Sequence, residues 1–278
     1  MSGFDPGWLD LREPADFRAR NPQVLAQCAA YFSGRDHLRI VDLGCGSGSN
    51  LRALSPHMPA RQSWRLVDHD ANLLAAARDR LTRWADQARD GADGALHVSR
   101  GGKTVEIEFV EADLALETAG VIAGADLVSA AALFDLVSER WMRDFVEALA
   151  RARTPFYTAL TYNGVEIWSP GDARDAEILK SFHVHQARDK GFGPSAGPRA
   201  SAVLARLLRA KNYEVAQGDS PWRLARADAA LIGALADGVA QAAAETGFVA
   251  AERIAAWRAA RARAEVEIGH ADIFAYPV

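Results

Sequence analysis

Three glycines at alternate positions, Gly44, Gly46 and Gly48, follow an aspartate, Asp42, that lies inside the apolar run Ile40-Val41-Asp42-Leu43. Glycines so placed let the backbone turn sharply and let a ligand lie directly against the main chain. A dinucleotide fingerprint reads G-x-G-x-x-G, and a phosphate-gripping loop ends in G-K-S/T. Here the spacing is G-x-G-x-G, no lysine follows, and Asp42 stands two residues before the first glycine. An acid at that point repels a pyrophosphate and suits a ligand carrying an ammonium or sulfonium charge. Cys45 reads as a small residue of the loop, not a nucleophile. A helix expected from about Asn50-Leu51 aims its free N–H groups at the same ligand.

The run Val41-Asp42-Leu43-Gly44-Cys45-Gly46-Ser47-Gly48 resembles the first motif of the class I S-adenosylmethionine-dependent methyltransferases. Three later segments fit the resemblance in the right order. Trp64-Arg65-Leu66-Val67-Asp68 reads as a second strand ending in an acid, and Asp68 lies twenty residues after Gly48, near the spacing at which a carboxylate meets ribose hydroxyls. Val105 to Val110 alternates as a strand, and Glu111-Ala112-Asp113-Leu114 follows it. In the family, an aspartate placed like Asp113 accepts a hydrogen bond from the adenine amino group. Ala125 to Ala131 resembles the fourth strand, whose end lies under the methyl donor. The resemblance therefore implies S-adenosylmethionine as cofactor, with Asp42, Gly44, Cys45, Gly46 and Gly48 in its loop. It places Asp68 and His69 at the ribose, Asp113 and Leu114 at the adenine, and Ala130 beneath the sulfonium. Arg20, from the N-terminal helices, is a candidate for the cofactor carboxylate.

Methyl transfer is an in-line displacement, and bringing two oriented reactants together supplies much of its acceleration. A general base is needed only when the acceptor carries a proton at neutral pH. The acceptor site is expected beyond the carboxyl ends of the strands. Leu133-Phe134-Asp135-Leu136-Val137 follows strand four in place of the Asn/Asp-Pro-Pro-Tyr motif of enzymes that methylate base amino groups. Asp135 is a candidate acceptor contact, with a helix cap as the plainer alternative. The densest polar and aromatic cluster runs from Phe182 to Pro194. A helix there puts Phe182, Gln186 and Asp189-Lys190 on one face with His185 beside them, and Tyr162-Asn163 opposite. Residues two apart do not share a helical face, so His183 and His185 cannot serve one site. His185 and Tyr162 are the expected catalytic pair, and Asp135, Asn163, Gln186 and Lys190 the expected substrate contacts. Trp168, Trp222, His270 and Asp272 rank behind them.

These residues need a parallel sheet to carry them. From Leu38 to Tyr162 strands and helices alternate, the pattern of a sheet covered on both faces. Asn21-Pro22 opens a helix as a cap followed by proline at the first helical position. A hairpin is expected over 95–110, with its turn at Gly101-Gly102, and a helix over Ser138–Ala150. Phe156–Tyr162 reads as strand five, Ala200–Lys211 as a helix and Tyr213–Ala216 as strand six. Asp228–Arg263 reads as two helices broken near Gly247-Phe248. Glu265 to Tyr276 alternates cleanly, and the resemblance makes it a last, antiparallel strand. The expected architecture is an α/β, Rossmann-like, doubly wound, seven-stranded and mostly parallel sheet with helical insertions. Residues 1–37 form an N-terminal helical segment over the cofactor cleft. Residues 38–278 form the main domain, with a lid and acceptor insertion near 163–198 and a helical insertion near 226–264.

Composition narrows the partners. Lysine and arginine number 32 against 36 acids, a formal charge of −4, which argues against a nucleic-acid backbone as partner. Two cysteines, Cys28 and Cys45, make no disulfide framework, and no metal-ligand spacing is present. With neither a leader pattern nor an apolar run of membrane length, a soluble cytoplasmic protein is expected. A small-molecule acceptor with a hydroxyl, carboxyl or amine group suits these facts. The alternatives are an RNA or protein methyltransferase and a non-catalytic S-adenosylmethionine-binding protein, with a nicotinamide dehydrogenase more distant. The oligomeric state is open.

Overall fold

A computed structural model describes residues 5–92, 94–261 and 264–278. Residues 1–4 of the expected N-terminal segment and 262–263 of the expected second insertion helix lie outside the described residues.

The N-terminal helices are α1 (Pro6–Ala19) and α2 (Pro22–Phe32). α1 starts at Pro6, capped by Asp5, and carries Pro14 in its interior. Asn21 caps α2 by accepting from the N–H groups of Gln23 and Val24. β1 (His37–Leu43), α3 (Ser49–Leu54), β2 (Arg61–Asp68) and α4 (Ala71–Trp84) follow. Then come β3 (Gln87–Asp90), β4 (Leu96–Arg100) and β5 (Lys103–Glu111), an antiparallel meander one strand longer than the expected hairpin. All four residues of β3 are exposed at the sheet edge. Next are α5 (Leu114–Val121), β6 (Leu127–Ala131), α6 (Glu139–Ala152) and β7 (Phe156–Ser169). α7 (Asp175–Gln186), α8 (Ala200–Arg209), β8 (Tyr213–Asp219) and β9 (Trp222–Leu224) lead to α9 (Ala229–Thr246), α10 (Ala251–Arg261) and β10 (Glu265–Pro277).

The strands form one sheet in the order β3-β4-β5-β2-β1-β6-β7-β10-β8, with β9 also paired to β10. Among the described residues the sheet has ten strands, not seven: β3, β4 and β9 are added to a core of seven. β5, β2, β1, β6 and β7 are parallel neighbours, and β10 runs antiparallel between β7 and β8. Along β1 the apolar side chains alternate between two cores. Leu38 and Ile40 join α2 and α4 on one face, and Val41 and Leu43 join α5, α6 and α8 on the other. This is why the strand reads as continuously apolar.

A third core lies beyond the end of the parallel strands. β7 continues seven residues past Tyr162, paired only with β10, and this ribbon carries α1, α7, α9 and α10 around Trp168, Trp257 and Ile268. The first part of the expected insertion is thus strand, and the remainder joins α9 and α10 in a cap. No helix among the described residues is long and apolar enough to cross a membrane.

Candidate functional site

β1 delivers the chain into the glycine loop, and Gly44, Gly46 and Gly48 all have left-handed φ values, +61°, +51° and +76°. Side chains at Gly44 and Gly48 would also press on Leu133 and Leu81, at 3.3 and 3.2 Å. The loop is tied down by its own amides: Cys45 N–H donates to Val67 O at 3.0 Å, and Gly46 N–H donates to Asp68 Oδ2 at 2.9 Å. α3 has only six residues, so the expected helix N-terminus contributes little field at this loop. α1 closes over the loop. Leu9 packs on Gly46, and Glu13 holds Arg52 through two 2.7 Å contacts while Arg52 donates to Ser47 O.

Asp42 is fully buried beneath the loop. Its Oδ1 accepts from Asn50 Nδ2 at 2.5 Å and Ser129 Oγ at 2.9 Å, while Oδ2 has no hydrogen-bond partner. Burial pushes its carboxyl up to about 6, against the pull of Asn50, Ser129 and the nearby Arg20. Arg20, between α1 and α2, is 8% exposed. Its Nη1 reaches only the Tyr157 hydroxyl, at 3.5 Å, and its Nε has no partner. Among the described residues no carboxylate lies within ion-pair distance of it. A buried cation and a buried carboxylate oxygen are thus both left unmatched beside the glycine loop, an expensive condition without a ligand.

The neighbouring acids divide by burial. Asp68 is 5% exposed; its Oδ1 accepts from Asp70 N–H at 3.1 Å, and His69 Nδ1 lies 3.4 Å away. Asp113 is exposed and caps α5 by accepting from Ala115 N–H. Leu114 is buried behind it, its carbonyl accepting from Trp141 Nε1, and Ala130 is buried on β6 beside Leu43. Sequence reasoning missed Asn50 and Ser129. Pairing of β1 with β6 sets Ser129 opposite Asp42, which no local pattern reveals.

Of the expected acceptor contacts, the structure brings Asp135, Gln186 and Tyr162 together. Gln186 Nε2 donates to Asp135 Oδ2 at 3.2 Å, both residues are buried, and burial pushes Asp135 up to about 6 despite a hydrogen bond from the Tyr162 backbone. His185 is placed elsewhere. Its Nε2 meets Glu245 of α9 at 2.9 Å, and the histidine beside Tyr162 is His183, 2.9 Å from the tyrosine hydroxyl. The correction follows from the rotation of α7, whose Ser181 donates to Ala243 O and turns His185 towards α9. α7 ends at Gln186, so Asp189 and Lys190 do not extend its face. Asp189 caps a turn by accepting from Gly191 and Gly193, and Lys190 is half-buried within it. Asn163 shapes a bulge, its Oδ1 accepting from Val165 N–H opposite Gly269, where a side chain would collide with it.

Tyr162 also donates to Glu166 Oε1 at 3.1 Å, a residue with no distinguishing sequence signal. Burial pushes Glu166 up to about 7 and lowers His183. His270 packs against Tyr162 and Trp222, its Nδ1 is unpartnered, and burial with the nearby Arg12 charge drives it down to about 3. It is therefore a neutral imidazole near pH 7. Arg12 of α1 lies 5.0 Å over the Trp222 ring and pairs with Asp16, which accepts from Trp222 Nε1. A wider groove of about 520 Å³ between β5 and α5 lies away from these residues, and its Glu108 is paired with Arg65.

No known family matches the sequence, and no curated protein matches it either. Among solved structures, the chain is similar to a Bacillus halodurans protein provisionally named a methyltransferase. The TM-score is 0.50 at 11% identity, over 92% of this chain and 100% of that one. Magnesium protoporphyrin IX methyltransferase from Synechocystis, solved with bound S-adenosylmethionine, gives a TM-score of 0.42 at 13% identity over 79% of this chain and 80% of that one. The first likeness establishes a shared Rossmann-like fold, in agreement with the strand order above.

Proposed function

We propose that this chain transfers a methyl group from S-adenosylmethionine to a small-molecule acceptor, as a soluble cytoplasmic enzyme. The observation that carries the reading is the unmatched pair beside the glycine loop: Arg20, and Asp42 with its free Oδ2, both buried. An α-amino acid group carries the complementary charges. Arg20 would hold the carboxylate, and Asp42 the ammonium group, which restores the ionised form that burial disfavours. Asp68, with His69 beside it, would accept from the ribose hydroxyls. Asp113 would accept from the adenine amino group, with Leu114 and Ala130 as apolar walls. Gly44, Cys45, Gly46 and Gly48 would let the ligand approach the main chain.

S-adenosylmethionine, when bound, supplies a methyl group on a positively charged sulfur. The chain's own part is to bring an acceptor into line and exclude water. Asp135, Gln186 and Tyr162 would orient the acceptor, with Asn163 shaping the adjoining bulge. His183 supports the hydroxyl of Tyr162 and, kept neutral by burial, can take a proton from a protonated acceptor. Calorimetry with S-adenosylhomocysteine and NAD, followed by a screen of small acceptors for S-adenosylhomocysteine release, tests the proposal. Binding of the adenosyl ligand alone, with turnover on at least one small acceptor, is expected. Absence of that binding, or tighter binding of NAD, would overturn it.

A further inference from the structure

A cavity of about 280 Å³ lies in the cap between β7, α7 and α10, the volume of about nine water molecules in the liquid. Glu166 and Trp168 of β7, Asp175, Ile178 and Leu179 of α7 and Trp257 of α10 line it. The indoles of Trp168 and Trp257 meet edge to face, with ring centres 5.5 Å apart. Its two carboxylates are served differently. Asp175 accepts from Trp257 Nε1 at 2.8 Å and lies 3.7 Å from Arg261, the cation it shares with Asp172. Asp172 has a second cation in Arg174, at 2.6 Å, so these two acids and two arginines balance. Glu166 receives only neutral donors, the Tyr162 hydroxyl and the Trp168 indole, and the charge felt most by it is the like charge of Asp175. The cavity therefore has aromatic and aliphatic walls and one carboxylate in excess. Aromatic faces and a carboxylate together attract an organic cation.

We propose that this cavity binds the ammonium end of an organic amine, with Glu166 as counter-ion and Trp168 and Trp257 as walls, and that the methyl acceptor carries this amine. The second clause rests on the methyl-transfer reading; the binding site stands without it. Tyr162 connects the two regions, since its hydroxyl touches both Glu166 and His183. An amine seated on Glu166 thus lies one hydrogen-bonded residue from the side chains proposed to orient the acceptor.

The probes are n-butylammonium and its neutral isostere n-butanol, titrated into the full chain and followed by tryptophan fluorescence and calorimetry. The ammonium ion is expected to bind at least about tenfold more tightly than the alcohol, and Glu166→Gln to abolish that preference while leaving n-butanol unchanged. Equal affinity of the two probes, or an ammonium affinity untouched by Glu166→Gln, overturns the proposal. The wild type gives a second test that needs no variant. Ammonium binding requires ionised Glu166, which burial holds at about 7, so affinity should fall towards tenfold per pH unit below 7 and level off above it. The groups facing Glu166 are Tyr162 on β7, Asp175 on α7 and, through Tyr162, His183; Arg261 of α10 pairs with Asp172 and Asp175 and lies 5.7 Å over the Trp168 ring. Burial raises Tyr162 far beyond this range and lowers His183. A flat profile for n-butylammonium overturns the proposal. S-adenosylhomocysteine is measured in the same samples. If it binds while the ammonium ion is refused, the amine site alone fails. If the reverse holds, the methyl-transfer reading alone fails.

Discussion

Replacing Asp68 by alanine should weaken the adenosyl ligand by one mechanism and the empty protein by another, and the two can be measured apart. The carboxylate already accepts from Gly46 N–H at 2.9 Å and Asp70 N–H at 3.1 Å, one on each oxygen. An ionised carboxylate offers about four acceptor positions, so about two remain for a vicinal diol. A hydrogen bond to a charged group contributes about 1.5–3 kcal/mol, so the Kd for S-adenosylhomocysteine should rise about ten- to a hundredfold. Loss of the two amide contacts should cost the protein itself about 1–2 kcal/mol, or about 2–5 °C in Tm for a chain of this size. A 2′,3′-dideoxy analogue of S-adenosylhomocysteine separates the effects, because it lacks the hydroxyls but needs the same loop. In a calorimetric cycle the analogue should bind Asp68→Ala and wild type within about threefold, with the coupling confined to the natural ligand. An equal loss for both ligands would show that Asp68 acts only through the loop and would refute the ribose contact.

Three further expectations follow from buried groups. Asp272 accepts from Asn21 N–H and from the N–H of Leu160, both at 2.8 Å, and Leu160 is held at φ +59°. Asp272→Asn leaves one of these amides facing a donor and should cost about 1–3 kcal/mol in urea unfolding; an unchanged midpoint contradicts this. His185→Ala loses only a partly exposed pair with Glu245, so turnover and cofactor affinity should stay within about twofold, whereas His183→Ala should reduce turnover by more than about tenfold. The opposite ranking would return the catalytic assignment to His185. Asp42 has a folded-state pKa of about 6, raised above its unfolded value of about 3.9, so both states hold the proton below pH 4. Between 4 and 6 the unfolded chain ionises first, and the stability of the empty protein falls as pH rises, levelling above 6. Asp135, also at about 6, adds in the same direction. An ammonium ligand favours ionised Asp42, so the thermal shift with S-adenosylhomocysteine should be larger at pH 7 than at pH 5, and an equal or smaller shift speaks against Asp42 as its partner.

Local chemistry alone singled out one half of the candidate site. The glycine spacing, the acid two places before it and the strands ending at Asp68 and near Asp113 lie within short segments, where backbone freedom and strand alternation are properties of neighbouring residues. That was enough to indicate the parallel sheet and its order of elements, while the antiparallel final strand came from the family resemblance. Long-range packing decided the other half. Arg20 is buried because α1 and α2 fold over the sheet, and no property of Arg20 itself announces it. β7 runs on to Ser169 because β10 is there to pair with it, which made the first seven residues of the expected insertion into strand. The same dependence chose between the histidines. His183 and His185 are equivalent in a one-dimensional reading, and only the contact of α7 with α9 fixes the rotation that sends one to Tyr162 and the other to Glu245. Glu166 had no sequence signal at all, because an acid in a strand becomes distinctive only when tertiary packing leaves it with no ion-pair partner among the described residues.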